Sequence, residues 1–293
     1  MKLSDFELLY DLPTGSVDPG KIDGVRTVTV RAGRSLEVMC FPKSAVTPGA
    51  VREAKARRSR PAVQKINDRN RERHMLRLIE ANFTEAAQVI TCTYAYPAQD
   101  YGFVNLKDLK KDYDARRLPW EVSDVRRDMR NFLARLKRRA DRDGQALKWL
   151  LRIEEGKEPP AFGLPPKYHA HLIVEGVSRD AVKACWDHGS VRCDDYDLTG
   201  DGAARLARYL NKQKVGGRWW SHSRNLIAPT PTVSDRKVSR RRLLKIAADV
   251  TRDGRQILET LYPGYRLMEE PLVRYSDFAP GCYIYARLRK WRD

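Results

Sequence analysis

Runs of apolar residues alternate with polar, strongly basic stretches and divide the chain into predicted strands and helices. Residues 25–41 carry β-branched side chains on both sides of a central glycine, which predicts a β-hairpin. Residues 50–82 change to a basic helical pattern interrupted at Pro61. The run 87–94 is apolar on both faces, as expected of a central strand. The first part of the chain therefore predicts a hairpin, a basic helical arm and a buried strand.

A long amphipathic helix is predicted over residues 121–142, because apolar side chains recur there at steps of three and four. Its opposite face is rich in cations that could follow a phosphate backbone. A solvated face would also be basic in a protein of this charge, so both interpretations remain open. The candidate DNA contacts on this helix are Arg130, Arg135 and Arg138.

Two histidines lie one residue apart in the predicted strand 167–174. Alternate side chains of a strand share a face, so the imidazoles of His169 and His171 are expected to point the same way, roughly 7 Å apart at their Cα atoms. Neutral imidazoles bind divalent metals, which makes the pair a candidate metal clip. A pair of ordinary core histidines is the alternative.

The preceding strand, residues 148–154, ends in acidic side chains before a loop rich in glycine and proline at 156–166. Two strands joined in this way are most simply antiparallel, which would bring Glu154 or Glu155 near the histidines. Neighbouring residues of a strand point to opposite faces, so at most one of the two can be a third ligand. The pattern does not choose between them.

A helix that begins near residue 203 has an apolar stripe and a basic face. Arg205, Arg208, Tyr209 and Lys212 are spaced to lie together opposite that stripe, which predicts an exposed tyrosine among three cations. A tyrosine with its ordinary pKa of ~10 is a poor nucleophile. It can attack a phosphodiester if cations stabilise the phenolate and a metal polarises the phosphate. An ordinary surface tyrosine is the alternative.

The charge of the chain favours a polyanionic partner. The 293 residues include 56 Lys+Arg and 38 Asp+Glu, a formal net charge of +18 with a pI near 9.8. Charge alone does not separate DNA from RNA or from an anionic membrane surface. No apolar run approaches the ~20 residues that cross a bilayer, and the amino terminus lacks an apolar signal region. We therefore expect a cytoplasmic protein, and the five widely spaced cysteines fit reduced thiols.

Two other motifs are weaker. Residues 15–22 have P-loop spacing, but Ile22 replaces the magnesium-binding hydroxyl and a strand is predicted to follow, so we expect no nucleotide cofactor. Cys185, His188 and Cys193 offer three zinc-type ligands without an evident fourth. Neither motif predicts a site.

The order of the remaining motifs resembles that of a known family. The strand at 89–93, then Glu154, then His169-x-His171 and finally Tyr209-x-x-Lys212 resemble the three motifs of HUH-type rolling-circle replication initiators. Further segments are similar to the replication-associated proteins of filamentous and small single-stranded DNA phages: 131–136, Trp186-x-x-Gly189, 207–212, and 223–226 followed by Pro229. Some relatives have a second tyrosine where this chain has Arg205, which favours a single active tyrosine.

The resemblance covers about residues 83–230 and implies an α+β fold. A central antiparallel sheet of the ferredoxin/RRM-like type would carry helices on one face and the metal site on the sheet, with the tyrosine helix across it. Residues 1–82 are then an amino-terminal hairpin and basic helical extension. Residues 231–293 are a carboxy-terminal extension, with a basic helical pattern at 236–262 and a strand at 282–286.

The same resemblance implies a metal-dependent enzyme that nicks single-stranded DNA at a replication origin. His169, His171 and Glu154 would hold Mg²⁺ or Mn²⁺, while Tyr209 would form a 5′-phosphotyrosine and leave a 3′-OH that primes synthesis. Lys212 would act beside the tyrosine, and a host helicase or polymerase is a candidate partner. The remaining candidate DNA contacts are Arg205, Arg208 and Arg224. A transposase or relaxase with the same chemistry, and a non-catalytic DNA-binding protein, are the alternatives.

Overall fold

Two antiparallel sheets organise the chain, one in each of its two units. The computed structural model describes residues 9–43, 48–57, 59–96, 106–156, 166–197, 201–212, 215, 217, 220–277 and 279–291. One unit is Asn82–Leu226, and the other combines Met1–Ala81 with Ile227–Asp293. The described residues contain two antiparallel sheets and eight α-helices, so the predicted α+β class is confirmed.

Most of the elements coincide with predicted segments. In chain order they are β1 (Val25–Ala32), β2 (Ser35–Pro42), α1 (Pro48–Arg57), α2 (Arg60–Asn82), β3 (Gln88–Tyr94), α3 (Leu106–Ala115), α4 (Val122–Arg142), β4 (Lys148–Glu155), β5 (Tyr168–Glu175), α5 (Arg179–Cys185), β6 (Gly189–Asp195), α6 (Gly202–Leu210), β7 (Ser221–His222), β8 (Thr232–Ser234), α7 (Arg240–Ala248), α8 (Asp253–Leu261), β9 (Tyr265–Leu267), β10 (Leu272–Tyr275) and β11 (Cys282–Lys290). The loop expected at 156–166 lies mostly outside the described residues.

The unit Asn82–Leu226 is built on a five-stranded sheet with the order β6-β3-β5-β4-β7 and antiparallel neighbours throughout. β3 and β4 lie on either side of β5 and are connected through α3 and α4. β5 and β6 lie on either side of β3 and are connected through α5. The chain therefore runs β-α-α-β-β-α-β before it reaches α6 and the short edge strand β7.

The two faces of this sheet have different roles. Every second residue of β5, from Tyr168 to Val174, joins a core formed with α4 and α5. His169 and His171 point to the opposite face, because side chains alternate along a strand. The apolar stripe of α4 thus covers one side of the sheet and leaves the other side to the histidines.

Trp186 and Gly189 form the turn that joins α5 to β6. The indole of Trp186 packs edge-on against Tyr94 and Phe132, and its Nε1 donates to the carbonyl of Thr93 at 3.0 Å. A Cβ at Gly189 would lie 2.2 Å from the same carbonyl oxygen. Only glycine can occupy that position without moving the backbone, so both residues have a structural role here.

The other unit contains a six-stranded sheet in which β10, β11, β2, β1 and β8 are consecutive neighbours and β9 also pairs with β11. Every residue of β2 is buried, because apolar side chains pack on both of its faces. The segments before and after the Asn82–Leu226 unit were expected as two separate extensions. They form one structure instead, because β11 completes the sheet begun by the hairpin β1-β2.

The basic helix α2 is part of this second unit and not an appended arm. Arg77 makes a two-point salt bridge to the buried carboxylate of Glu37 on β2. The guanidinium of Arg73 lies 3.7 Å from the centroid of the Tyr285 ring. Some of the charge that suggested a nucleic-acid contact therefore serves the packing of α2.

No helix within the described parts of the chain is long and apolar enough to cross a membrane. All five cysteines carry free thiols, and four of them are buried. Burial raises the pKa of Cys40 to about 12, so this thiol stays protonated and unreactive near neutral pH.

Candidate functional site

The pairing of β4 with β5 determines which glutamate accompanies the histidines. Glu154 lies directly opposite His169, whereas Glu155 lies opposite Tyr168. Residues that face each other across an antiparallel pair point to the same side of the sheet. Glu154 therefore shares the histidine face, and Glu155 points to the side covered by α4.

His171 is held by contacts from both neighbouring strands. Its Nε2 lies 2.9 Å from Oε2 of Glu154 on β4, and its Nδ1 lies 3.2 Å from Oγ1 of Thr91 on β3. The histidine residue is only 6 % exposed. Hydrogen bonds on both ring nitrogens restrict its orientation, which is how proteins prepare an imidazole for ligation or proton transfer. Thr91 was not among the residues predicted for the site.

Tyr209 faces this cluster directly. Its hydroxyl lies 2.9 Å from Nε2 and 3.3 Å from Nδ1 of His171, and the two rings meet edge-on with centroids 4.9 Å apart. The prediction of a tyrosine exposed on a basic surface is wrong, because the ring is half-buried against the histidine face. The physical reason is that α6 approaches the sheet with its last turn, where Leu210 is buried.

The cations predicted around Tyr209 occupy different positions. Lys212 follows the end of α6, and its Nζ lies 4.4 Å from the centroid of the Tyr209 ring. Arg205 forms a salt bridge with Asp197, and Arg208 is exposed. Lys212 thus contacts the tyrosine ring through a cation-π interaction.

Arg152 is an additional residue of the site that the sequence pattern did not identify. It lies opposite His171 and is completely buried. Its Nη1 donates to the carbonyl oxygen of Tyr209 at 3.0 Å and lies 3.5 Å from Oε2 of Glu154. Within the described structure its Nε and Nη2 atoms have no hydrogen-bond partner. An arginine inside an apolar strand was the available signal, because such a charge is rarely buried without a partner.

The electrostatics of the site favour neutral side chains. Burial lowers the pKa of His171, the nearby Glu154 carboxylate opposes this change, and Arg152 and His169 add to it. Burial also raises the pKa of Tyr209, with a further increase from Glu154 and an opposing effect of Arg152. The metal-free site therefore holds a neutral imidazole and a protonated phenol near pH 7.

The donor set suits a divalent cation, although the side chains do not converge fully on one point. His169, His171 and Glu154 share a face and offer two imidazoles and a carboxylate. The imidazole centroids are 6.4 Å apart, and Nδ1 of His169 is buried without a hydrogen-bond partner among the described residues. In that same part of the chain, no group of three His, Cys, Asp or Glu residues is arranged to hold an ion. An ion would have to replace the direct contact between Glu154 and His171.

The predicted DNA-binding arginines on α4 lie away from this cluster. Because α4 covers the opposite face of the sheet, Arg130, Arg135 and Arg138 cannot approach the same phosphate as Tyr209. Arg135 instead donates to the carbonyl of Cys185 and to the carboxylate of Asp187. It anchors the end of α5, and its role as a DNA contact stays a prediction.

Comparison with known proteins gives no information about the function of this chain. The chain matches no protein-family model, no curated protein and no solved structure. Functional inference therefore depends on the Tyr209-His171-Glu154 arrangement and on the surfaces around it.

Proposed function

We propose that this protein is a metal-dependent endonuclease and strand transferase that nicks single-stranded DNA and initiates rolling-circle replication. The observation that carries the proposal is the contact between the Tyr209 hydroxyl and His171, whose Nε2 also meets Glu154. A tyrosine that contacts the imidazole of His171, which itself meets a carboxylate, in a protein of net charge +18, suits attack on a nucleic-acid phosphate.

The proposed reaction exchanges one phosphodiester for another. Oη of Tyr209 forms a bond to phosphorus while the bond from phosphorus to the 3′ oxygen breaks. The proton lost by the phenol balances the proton taken up by the 3′ oxygen. The products are a 5′-phosphotyrosine and a free 3′-OH, and the retained bond energy permits later religation without ATP.

The residues around the tyrosine have separate tasks in this reaction. His169, His171 and Glu154 would hold Mg²⁺ or Mn²⁺, which supplies Lewis-acid polarisation of the scissile phosphate when bound. Arg152 positions the end of α6 through the carbonyl of Tyr209. Lys212 stabilises negative charge that develops on the phenol.

The chain topology also supports this proposal. The strand order β6-β3-β5-β4, with helical connections from β3 to β4 and from β5 to β6, is the arrangement expected of a ferredoxin-like sheet, to which α3 would be an additional helix. This is the core that the resemblance to HUH-type initiators implies, with the two histidines on a central strand. The topology supports the fold of the proposal, whereas the activity depends on the site residues.

A covalent-adduct experiment tests the proposed function. The protein is incubated with single-stranded origin DNA labelled at its 3′ end and with Mn²⁺, and the products are separated on a denaturing gel. The 5′-phosphotyrosine keeps the label on the protein, so wild type should give a slow-migrating adduct and Tyr209→Phe should give none. An adduct formed by Tyr209→Phe would contradict the assignment of the nucleophile.

His169→Ala is the second variant in this experiment. It should abolish cleavage but retain most of the salt-sensitive affinity, because the affinity comes from cations. If wild type binds DNA yet never forms an adduct, the protein is a non-catalytic DNA-binding protein. Cleavage of mobile-element ends in preference to a replication origin would identify a transposase or relaxase.

A further inference from the structure

A cavity of about 500 Å³ lies on the α4 side of the sheet, away from Tyr209. Its apolar floor includes Met129 and Leu133 of α4 and Leu151 of β4. Leu151 precedes Arg152, so it points to the face opposite the histidines. The cavity is therefore separate from the catalytic site and falls within the size range of small-molecule sites.

Aromatic rings form part of the wall of this cavity. Trp149 comes from β4, while Trp220 and His222 come from the edge strand β7 and the residue before it. The rings of Trp220 and His222 are 5.6 Å apart between centroids. Flat aromatic surfaces of this kind stack with nucleobases, and the interaction tolerates any base sequence.

The charges at the rim are all positive. Arg126, Arg130 and Arg224 line the cavity, and no acidic residue of the described structure does so. Arg130 and Arg224 are exposed and form no salt bridge with any described residue. By contrast, Arg135 on the same helix is paired with Asp187. The cavity thus combines an apolar, aromatic interior with two exposed guanidinium groups that no carboxylate of the described residues neutralises, which complements a planar base attached to a phosphate.

A second cavity continues from the first one. It has a volume of about 800 Å³ and shares Leu133, Trp149, His222 and Arg224 with it. Together they form a trough between α4 and the β4-β7 edge of the sheet. A trough with space beyond a single base fits consecutive nucleotides of a strand better than one free nucleotide.

We infer that this trough binds nucleotides of single-stranded DNA at a second contact, on the face of the sheet opposite Tyr209. Bases stack on Trp220 and the neighbouring rings, while Arg130 and Arg224 contact the phosphates. The inference that the bound nucleotides belong to single-stranded DNA rests on the proposed function. The cavity, its aromatic wall and the exposed Arg130 and Arg224 are the observations that support the site itself.

The test measures the affinity of the full-length protein for a short fluorescein-labelled DNA strand by anisotropy. EDTA is present so that no cleavage contributes. Arg130→Ala combined with Arg224→Ala should weaken binding by at least about tenfold and reduce the log-log slope of the salt dependence by about 0.7 for each phosphate that is no longer neutralised. The matched control is Arg139→Ala with Arg142→Ala, which removes the same charge from exposed positions of α4 that line neither cavity.

The control should bind nearly as tightly as wild type. Equal weakening by both double variants would overturn the inference, because general electrostatic attraction would then explain the affinity. Trp220→Ala should weaken binding by about fivefold to a hundredfold on a normal strand, and much less on a strand of abasic residues. An equal decrease on both strands would contradict base stacking.

Two further measurements are made. One distinguishes a DNA strand from a free nucleotide as the ligand, and the other distinguishes DNA binding by the trough from cleavage at Tyr209. If a free mononucleotide competes as strongly as the strand, the trough is a nucleotide site and the assignment to a strand is wrong. The adduct assay at saturating DNA is run in parallel. If the arginine double variant binds DNA as tightly as wild type and forms the adduct normally, the inference about the trough is wrong and the proposed function is unaffected. If DNA binding depends on the trough but wild type forms no adduct, the proposed nuclease function is wrong.

Discussion

The side chains around Tyr209 form a connected set in which each residue restrains another. Thr91 and Glu154 hold opposite ring nitrogens of His171, and the same imidazole meets the tyrosine hydroxyl. Arg152 links the Glu154 carboxylate to the carbonyl of Tyr209. Tyr209, Glu154 and His171 are therefore positioned together. Substitution of one of them is expected to change the position or the pKa of the other two.

The pH response of His171 is a prediction at this scale. Burial lowers its pKa below the ordinary value of about 6.5, whereas Glu154 counteracts the decrease. The neutral imidazole favours the folded state, so its contribution to stability is complete above about pH 6.5 and is lost as the pH falls through the lower folded-state value. In metal-free protein, NMR titration of the ring protons should give a midpoint below 6.5.

Glu154→Gln provides the comparison for that titration. Loss of the carboxylate removes the effect that raises the pKa, so the midpoint of His171 should move further down. The assigned electrostatic relation would be contradicted by a midpoint above 6.5 in wild type or by an upward shift in the variant. Glu175→Gln changes a carboxylate at the other end of β5 and should leave the His171 midpoint where it is.

Among the elements, the strands β3, β4 and β5 do most to assemble the site. Each contributes a polar residue to one face and apolar residues to the other, and their register places Thr91, Arg152 and Glu154 next to the histidines. The pairing of β3 with β6 supports this arrangement from the far side. The backbone at Gly189 therefore helps to hold β6 against β3, although Gly189 has no side chain that could take part in a reaction.

Gly189→Ala should destabilise the fold by about 1–3 kcal/mol, because the added methyl group overlaps backbone atoms and the strand must shift. Gly24→Ala is the control, since its nearest neighbours would be 3.9 Å away and a methyl group fits. Urea unfolding followed by circular dichroism measures both variants. Equal midpoints for the two substitutions would show that β6 can move aside at little cost.

At the scale of the molecule, the chain forms one unit from a continuous segment and another from two separated segments. Asn82–Leu226 contains the candidate site, whereas the other unit needs residues from both before and after it. In that second unit β2 is buried on both faces and pairs with β11. The two units should therefore respond differently to loss of the carboxy-terminal segment.

Truncation after Leu226 tests this difference. The variant keeps all of Asn82–Leu226 but removes β8 to β11, which exposes one edge of β2 and apolar surface on both faces of the remaining hairpin. Limited trypsin digestion with mass spectrometry should yield a resistant fragment that begins near Asn82. Rapid digestion of that fragment, or continued protection of β1 and β2, would contradict the division into units.

The features that depend on local periodicity could be predicted from the amino-acid sequence. Alternating side chains identified the histidine strand, three- and four-residue steps identified α4, and a central glycine identified the hairpin β1-β2. These predictions are confirmed because each element is encoded by neighbours in the chain. The placement of His169 and His171 on one face follows from the same rule.

The contacts between residues far apart in the chain could not be predicted from the sequence and are seen only in the folded protein. Strand register selected Glu154 over Glu155 and brought Arg152 beneath Tyr209, and the approach of α6 turned that tyrosine towards His171. The packing of α4 separated its arginines from the histidine face, and β11 joined the two ends of the chain in one sheet. The physical reason is that strand register and helix packing depend on many contacts between segments that are far apart in the sequence. The spacing of apolar residues shows only which side of each segment is apolar.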